Sequence, residues 1–346
     1  MTGEEAGGRA EEWPLPGDPD VGVGSRHHIV PRFYLERWAN ADHQIDVVEK
    51  PGGTRRRTNI KDAGVEKDFY TYIDLKGEPA GHLEQLLSHI ESRASAAIAN
   101  IVPPTFGVFP PSPNEKHDIA ILLAFQAVRG KRTRKSIELQ ADLVTRLQLS
   151  GLDESQIVRR MRQQGEESTE DRIQEAVEFI NNLDDYMFVP DPNDHLGMMG
   201  KLAFEIYKRL MRRHWYLAEF SSSVLLTCDE PVVRYTSRPD PMRGIGFLNA
   251  EEIWFPLSPK FLLTLCLDKQ PLPPRFPAPI ESAATANLML AHNAYQYIYL
   301  HPDYDVLSEI PPDEAVFKVT AAGFPALERY NDPPHSKKTR RRRKRN

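Results

Sequence analysis

Cysteine is almost absent from this sequence: Cys228 and Cys266 are the two in 346 residues. Two thiols cannot build a zinc ribbon or staple a small secreted scaffold. Both sit in apolar runs that read as strands, so buried, reduced thiols are expected. No stretch approaches the ~20 apolar residues of a membrane span, and no membrane partner is expected. Met1 to Gly24 is acidic, rich in glycine and proline, and lacks the apolar region of a signal peptide. A disordered leader and a cytoplasmic location follow as expectations. Also missing are a phosphate loop, a Rossmann glycine fingerprint, a Gly-x-Ser-x-Gly elbow and a His-Glu-x-x-His helix. Nucleotide-dependent and serine-hydrolase chemistry therefore has no support.

What is present is ordinary for a globular protein, with 40% hydrophobic and 27% charged residues. The net charge of −5 hides an asymmetry. Residues 337–346 hold eight of the 44 basic residues and no acid; without them 36 basic face 49 acidic residues, a net of −13. Such an acidic body is unlike a dedicated DNA-binding domain, which must neutralise phosphates. The basic tail, expected to be disordered, could contact nucleic acid weakly or fold back on the acidic body.

Along the chain, Pro31 opens a short helix from Arg32 to Ala39, since proline suits a first helical turn. Gln44 to Glu49 alternates as a strand, Pro51-Gly52-Gly53 turns, and Arg55-Arg56-Arg57 reads as a solvated basic loop able to contact phosphate. Phe69 to Ile73 is a second strand. Gly81 to Ile101 is the clearest helix, with Leu83, Leu87, Ile90, Ala94, Ile98 and Ile101 at three-and-four spacing; Pro103-Pro104 stops it. A helix ending at Gly130 follows, then helices at about 132–149, 153–164 and 168–184. The last two are charged on most faces and read as a surface layer or an outlying cap. After a helix from Asp194 to Arg213 come short β-branched or aromatic runs at 215–220, 224–227, 232–235, 253–257, 261–267 and 296–300, broken by one helix, Ser282 to Ala294. There is no internal repeat. The pattern is α+β, a helical layer packed on a mainly antiparallel sheet, with disordered N- and C-terminal ends. The expected organisation is an acidic leader (1–24), one α+β domain (25–330) and a basic tail (331–346).

Several short motifs, in order, carry a family resemblance. They are His28-Ile29-Val30-Pro31-Arg32-Phe33-Tyr34-Leu35, Asn59 followed by Phe69-Tyr70, Glu84 and Glu91, and Gln126-Ala127-Val128-Arg129. Thr227 to Val232, Phe255 to Pro259 and His292-Asn293 complete the series. Across roughly 26–301 the chain resembles the domain-of-unknown-function family numbered 4238, an uncharacterised and mostly bacterial group. The resemblance implies no reaction. Where the family usually has Ser-Asp-Asn-Pro, this chain has Cys228-Asp229-Glu230-Pro231, retaining Asp229 and Pro231.

The candidate site residues come from these motifs. His27-His28-Ile29-Val30-Pro31 is similar to the opening of a metal-dependent HNH nuclease site, where a histidine activates water. Such a site needs an Asn and a second His in one compact unit, and here Asn59 is 31 and His82 is 54 residues beyond His28. The string fails as a nuclease signature; a histidine before a Pro-started helix can instead cap it or bond a carbonyl. Gln126 and Arg129 are three apart on one helix face and can present an amide and a guanidinium together, or join a buried polar network. Asp229 follows an apolar run at a strand end, a position from which carboxylates reach clefts or start turns. Arg129 and Asp229 are natural partners. Glu84 and Glu91 share a helix face, as surface or as a buried pair with arginine.

Two functions compete. In the first, His28, Arg129 and Asp229 are catalytic, with His27, Asn59 and Gln126 binding, in a hydrolase acting on nucleic acid or another phosphorylated substrate. A divalent metal is compatible with that reading but not required by it. In the second, the same residues hold together a non-catalytic binding or scaffold protein of a defence or regulatory system. One open pocket lined by His28, Arg129 and Asp229 favours the first; burial in hydrogen bonds favours the second.

Overall fold

A computed structural model describes residues 26–50, 53–67, 69, 72–73, 79–80, 82–102, 107–239 and 244–306. The acidic leader, the basic tail, and the expected features at Pro51-Gly52, Tyr70-Thr71 and Pro103-Pro104 lie outside these residues. The strands are β1 Arg26–His28, β2 Gln44–Glu49, β3 Thr54–Asn59, β4 Val65–Lys67, β5 Tyr72–Ile73, β6 Pro79–Ala80, β7 His214–Glu219, β8 Thr227–Cys228, β9 Val233–Tyr235, β10 Glu252–Ser258, β11 Phe261–Cys266, β12 Arg275–Pro277 and β13 Tyr297–Leu300. The α-helices are α1 Arg32–Leu35, α2 His82–Ile101, α3 Pro113–Val128, α4 Lys131–Leu149, α5 Glu154–Gln163, α6 Glu170–Asn181, α7 Pro192–Met211 and α8 Ile280–Asn293. The protein is α+β. The described chain forms two compact units: 26–130 with 192–306, and 131–191.

The larger unit is built on two sheets, ordered β12-β7-β11-β10-β9 and β3-β2-β13-β8. Pairing is antiparallel except between β12 and β7. Because strand side chains alternate in direction, each sheet feeds two cores. Ile45, Val47, Tyr299, Leu217 and Phe255 join a large core with α1, α2, α3 and α7. Val48, Ile298, Leu300, Ala218 and Trp254 join a second core with α8.

The helices follow from local chemistry. Ser112 accepts from the Glu115 amide while Glu115 reaches back to the Ser112 amide, a capping box with Pro113 in the first turn. Ile119 to Phe125 are then buried all round, so α3 runs through the core against α2 and α7. The stripe predicted for α2 is buried at Leu87, Ile90, Ala94, Ala97, Ile98 and Ile101.

Two readings are corrected. The run Arg55-Arg56-Arg57 is not a loop but the middle of the edge strand β3. Arg55 and Arg57 project to one side and both grip Asp46 of β2, at 2.8 Å each. Burial alone would raise the Asp46 carboxyl, but the hydrogen bonds from Arg57 and Arg55 outweigh it and hold the group below its usual range. The run at 224–227 is also not a strand throughout; only Thr227–Cys228 pairs, with β13.

In the smaller unit, Ile157 and Met161 of α5 and Ile173 of α6 form a small core. Asp142 of α4, fully buried, accepts from Arg146 at 2.8 Å and from the Phe188 amide at 2.9 Å, fastening the 186–188 segment alongside α4. No helix among the described residues is long and apolar enough to cross a membrane.

Candidate functional site

The family segment begins on β1, which pairs antiparallel with β4 so that His27 lies opposite Glu66 and His28 opposite Val65. His27 is buried, its Nε2 3.5 Å from Glu84 of α2. His28 is half-buried. Burial pushes its pKa below the ordinary 6.5; the Glu91 carboxylate pulls the other way, Arg32 and Arg26 add to the lowering, and a hydrogen bond to the Lys61 backbone opposes it. Its Nε2 is enclosed without a hydrogen-bond partner among the described residues. Pro31 follows as the cap of α1, which has no side-chain cap.

Beyond the histidines the segment is architectural. Tyr34, 1% exposed, shares a 2.6 Å hydrogen bond with Thr227, and its ring stacks on Phe255 with centroids 5.0 Å apart. Trp38 donates to the Leu225 carbonyl at 3.1 Å. One helical turn thereby fastens β1 to the strand that precedes Asp229.

Arg129 ends α3 and is 1% exposed. Its Nε donates to Gln126 Oε1 at 2.9 Å and its Nη1 to Glu91 Oε1 at 2.7 Å. Gln126 passes the contact on, donating to the Ile29 carbonyl at 3.1 Å. Of the alternatives for Gln126, Arg129 and Glu91, the buried network is the one formed: an ion pair whose amide neighbour satisfies the backbone beside the histidines. At the next residue a Cβ would lie 2.6 Å from Glu230 Oε1, so Gly130 lets the end of α3 close on the turn after β8.

Asp229 occupies that turn, 2% exposed. Its Oδ1 accepts from the Tyr295 amide at 2.7 Å, and its Oδ2 from the amides of Gln296 at 2.7 Å and Tyr297 at 3.0 Å. One carboxylate thus satisfies three successive amides at the start of β13. Asn293 binds the other side of the turn, donating to the carbonyls of Glu230 and Val232. Asn59, at the end of β3, accepts from the Lys61 amide at 3.1 Å and shapes the turn towards β4.

The structure therefore gathers His28, Glu91, Arg129 and Gln126 around β1 and the facing sides of α2 and α3. Asp229 is engaged by backbone rather than presented to an open cleft. No group of three or more His, Cys, Asp or Glu side chains suited to a metal ion occurs among the described residues. Both cysteines are buried free thiols.

Sequence reasoning missed two comparable residues. Arg213, 4% exposed, donates to the carbonyls of Phe247, Ala250, Glu251 and Leu265 at 2.9–3.2 Å. Asn287 of α8 accepts from the Leu226 amide at 3.0 Å and donates to the Val224 carbonyl at 2.7 Å. The signals were an arginine between the apolar Leu210 and Trp215, and an asparagine on the apolar face of a helix.

No curated protein and no solved structure matches the chain. The family model described as "Protein of unknown function (DUF4238)" matches residues 26–304. That span takes in β1, the Gln126–Arg129 network, the Asp229 turn and β13, and the chain belongs to this family.

Proposed function

We propose that this protein is a non-catalytic binding or scaffold protein, in which the family's polar residues hold the larger unit together. One observation carries the reading: Arg129 and Asp229, 1% and 2% exposed, direct their charges at Glu91, Gln126 and three backbone amides. A general base or a phosphate-binding guanidinium must meet substrate or water within about 2.6–3.2 Å, and buried groups engaged in this way are spent on structure.

The test uses the full chain with single- and double-stranded oligonucleotides and a chromogenic phosphodiester, with magnesium or manganese. The expected result is no turnover above that of Arg129→Met. Turnover abolished by Asp229→Asn in a protein that melts like the wild type would overturn the proposal.

One observation supports the hydrolase reading, confined to His28. Burial lowers the pKa of its imidazole, and its Nε2 has no hydrogen-bond partner among the described residues, so that nitrogen is not committed to the fold. If that reading holds, His28→Gln removes the turnover while leaving the melting temperature unchanged.

A further inference from the structure

The six-residue edge strand β3 has β2 on one side and, among the described residues, no strand on the other. Its register with β2 runs unbroken from Gln44 opposite Asn59 to Glu49 opposite Thr54. Two backbone bonds fix which way its amides point. Ile60 donates to His43 across the β2–β3 hairpin, whereas Lys50 donates away from it, to Gln296. Inward and outward residues alternate in an antiparallel pair. Thr54, Arg56 and Thr58 therefore bond to β2, while Arg55 and Arg57 turn their N–H and C=O groups outward. No backbone group among the described residues meets those outward groups. Thr54 to Arg57 are also exposed on both faces of the sheet. Such an edge is a template for one more strand.

The side chains restrict which strand can use it. Arg55 and Arg57 lie on one face, 36% and 47% exposed, and meet Asp46; Arg55 also meets Asp305 at 3.3 Å. Arg56 lies on the other face, exposed, and makes no ion pair among the described residues. Three guanidiniums thus face two carboxylates. A second copy pairing antiparallel about Arg56 would set Arg56 against Arg56 and Arg55 against Arg57, and like charges opposite one another destabilise a ladder. An acidic strand reverses the sign, since a carboxylate opposite Arg56 gains a charge-assisted bond.

We infer that β3 is a docking edge for an extended acidic segment of another protein, which adds antiparallel to the sheet with a carboxylate side chain opposite Arg56. Main-chain bonds to Arg55 and Arg57 hold the added strand in place, and the guanidiniums select its charge. The inference goes beyond the scaffold reading. It uses neither Arg129 nor Asp229, so it can fail while that reading holds.

The probe is a fluorescein-labelled peptide, Val-Thr-Glu-Glu-Glu-Thr-Val, the acidic counterpart of the Thr54–Thr58 run, titrated with the full chain and followed by fluorescence anisotropy. Saturable binding is expected, weakened about tenfold by Arg56→Glu. That substitution changes an exposed side chain, and an unchanged melting temperature confirms that the sheet is intact. A peptide with lysine as its central residue should restore binding to the Arg56→Glu chain, which ties the register to this pair. N-methylation of the first and third glutamates removes the donors facing Arg55 and Arg57 at constant charge, and should weaken binding about tenfold. Absence of saturable binding would overturn the inference, as would an N-methylated peptide that binds like its parent or a charge swap that restores nothing. So would displacement by an oligothymidylate that binds more tightly, which assigns the arginines to phosphate. Self-association relieved by Arg56→Glu would assign the edge to a second copy instead.

Discussion

Replacing Asp229 by asparagine removes one charge and almost no volume, so its effect isolates what the carboxylate does. In the native protein three amides donate to it at 2.7, 2.7 and 3.0 Å. An asparagine has one acceptor oxygen. Facing Tyr295, it turns its NH2 group towards the amides of Gln296 and Tyr297; flipped, it keeps those two and confronts Tyr295. Either way at least one buried N–H loses its acceptor, at about 1–3 kcal/mol each, and the remaining bonds lose charge assistance. With partial relaxation the expected loss is about 2–4 kcal/mol. For a unit of 150–250 residues that lowers the melting temperature by about 5–15 °C. Urea unfolding followed by circular dichroism should show an earlier midpoint with an unchanged slope. A variant melting within about 1 °C of the wild type would refute the claim that this carboxylate is structural.

Three further outcomes follow. The His28 imidazole should titrate below 6.5 by NMR, because burial favours its neutral form. The unfolded chain then takes up the proton first, so stability falls as pH drops through 6.5; His28→Gln should flatten that part of the profile, and a midpoint above 6.5 would contradict the assignment. Arg213→Met should cost about 3 kcal/mol or more, since four carbonyls lose their donor; an unchanged unfolding midpoint would count against it. Burial, with Glu252 adding and Arg213 opposing, pushes the Cys266 thiol up to about 12. It should therefore resist alkylation at about pH 8 until the protein is unfolded; rapid labelling of the native chain would show the thiol to be accessible.

Where the chemistry is local, the sequence was readable. The apolar stripe of α2 shows one buried face, and the alternation of Gln44 to Glu49 marks β2. Gln126 and Arg129 show themselves as neighbours three apart, and Glu91 as a partner for a buried arginine. What escaped is chemistry whose other half lies far along the chain. Asp229 looked like a turn residue because its three amides come 66–68 residues later. Arg55 and Arg57 looked like solvent-exposed charge because Asp46, set between Ile45 and Val47, becomes their partner only when β2 and β3 pair in register. β1 is three residues long and owes its form to β4 rather than to propensity.

The central claim is that the buried polar residues of the larger unit, Arg129, Gln126 and Asp229, support the fold. Equilibrium unfolding of Arg129→Met tests it most directly. This side chain is 1% exposed and bridges Gln126 and Glu91 between α3 and α2, while methionine preserves most of its length. The account predicts a loss of about 3–5 kcal/mol, the usual result of removing one partner from a buried pair. An unfolding free energy equal to the wild type's would contradict it.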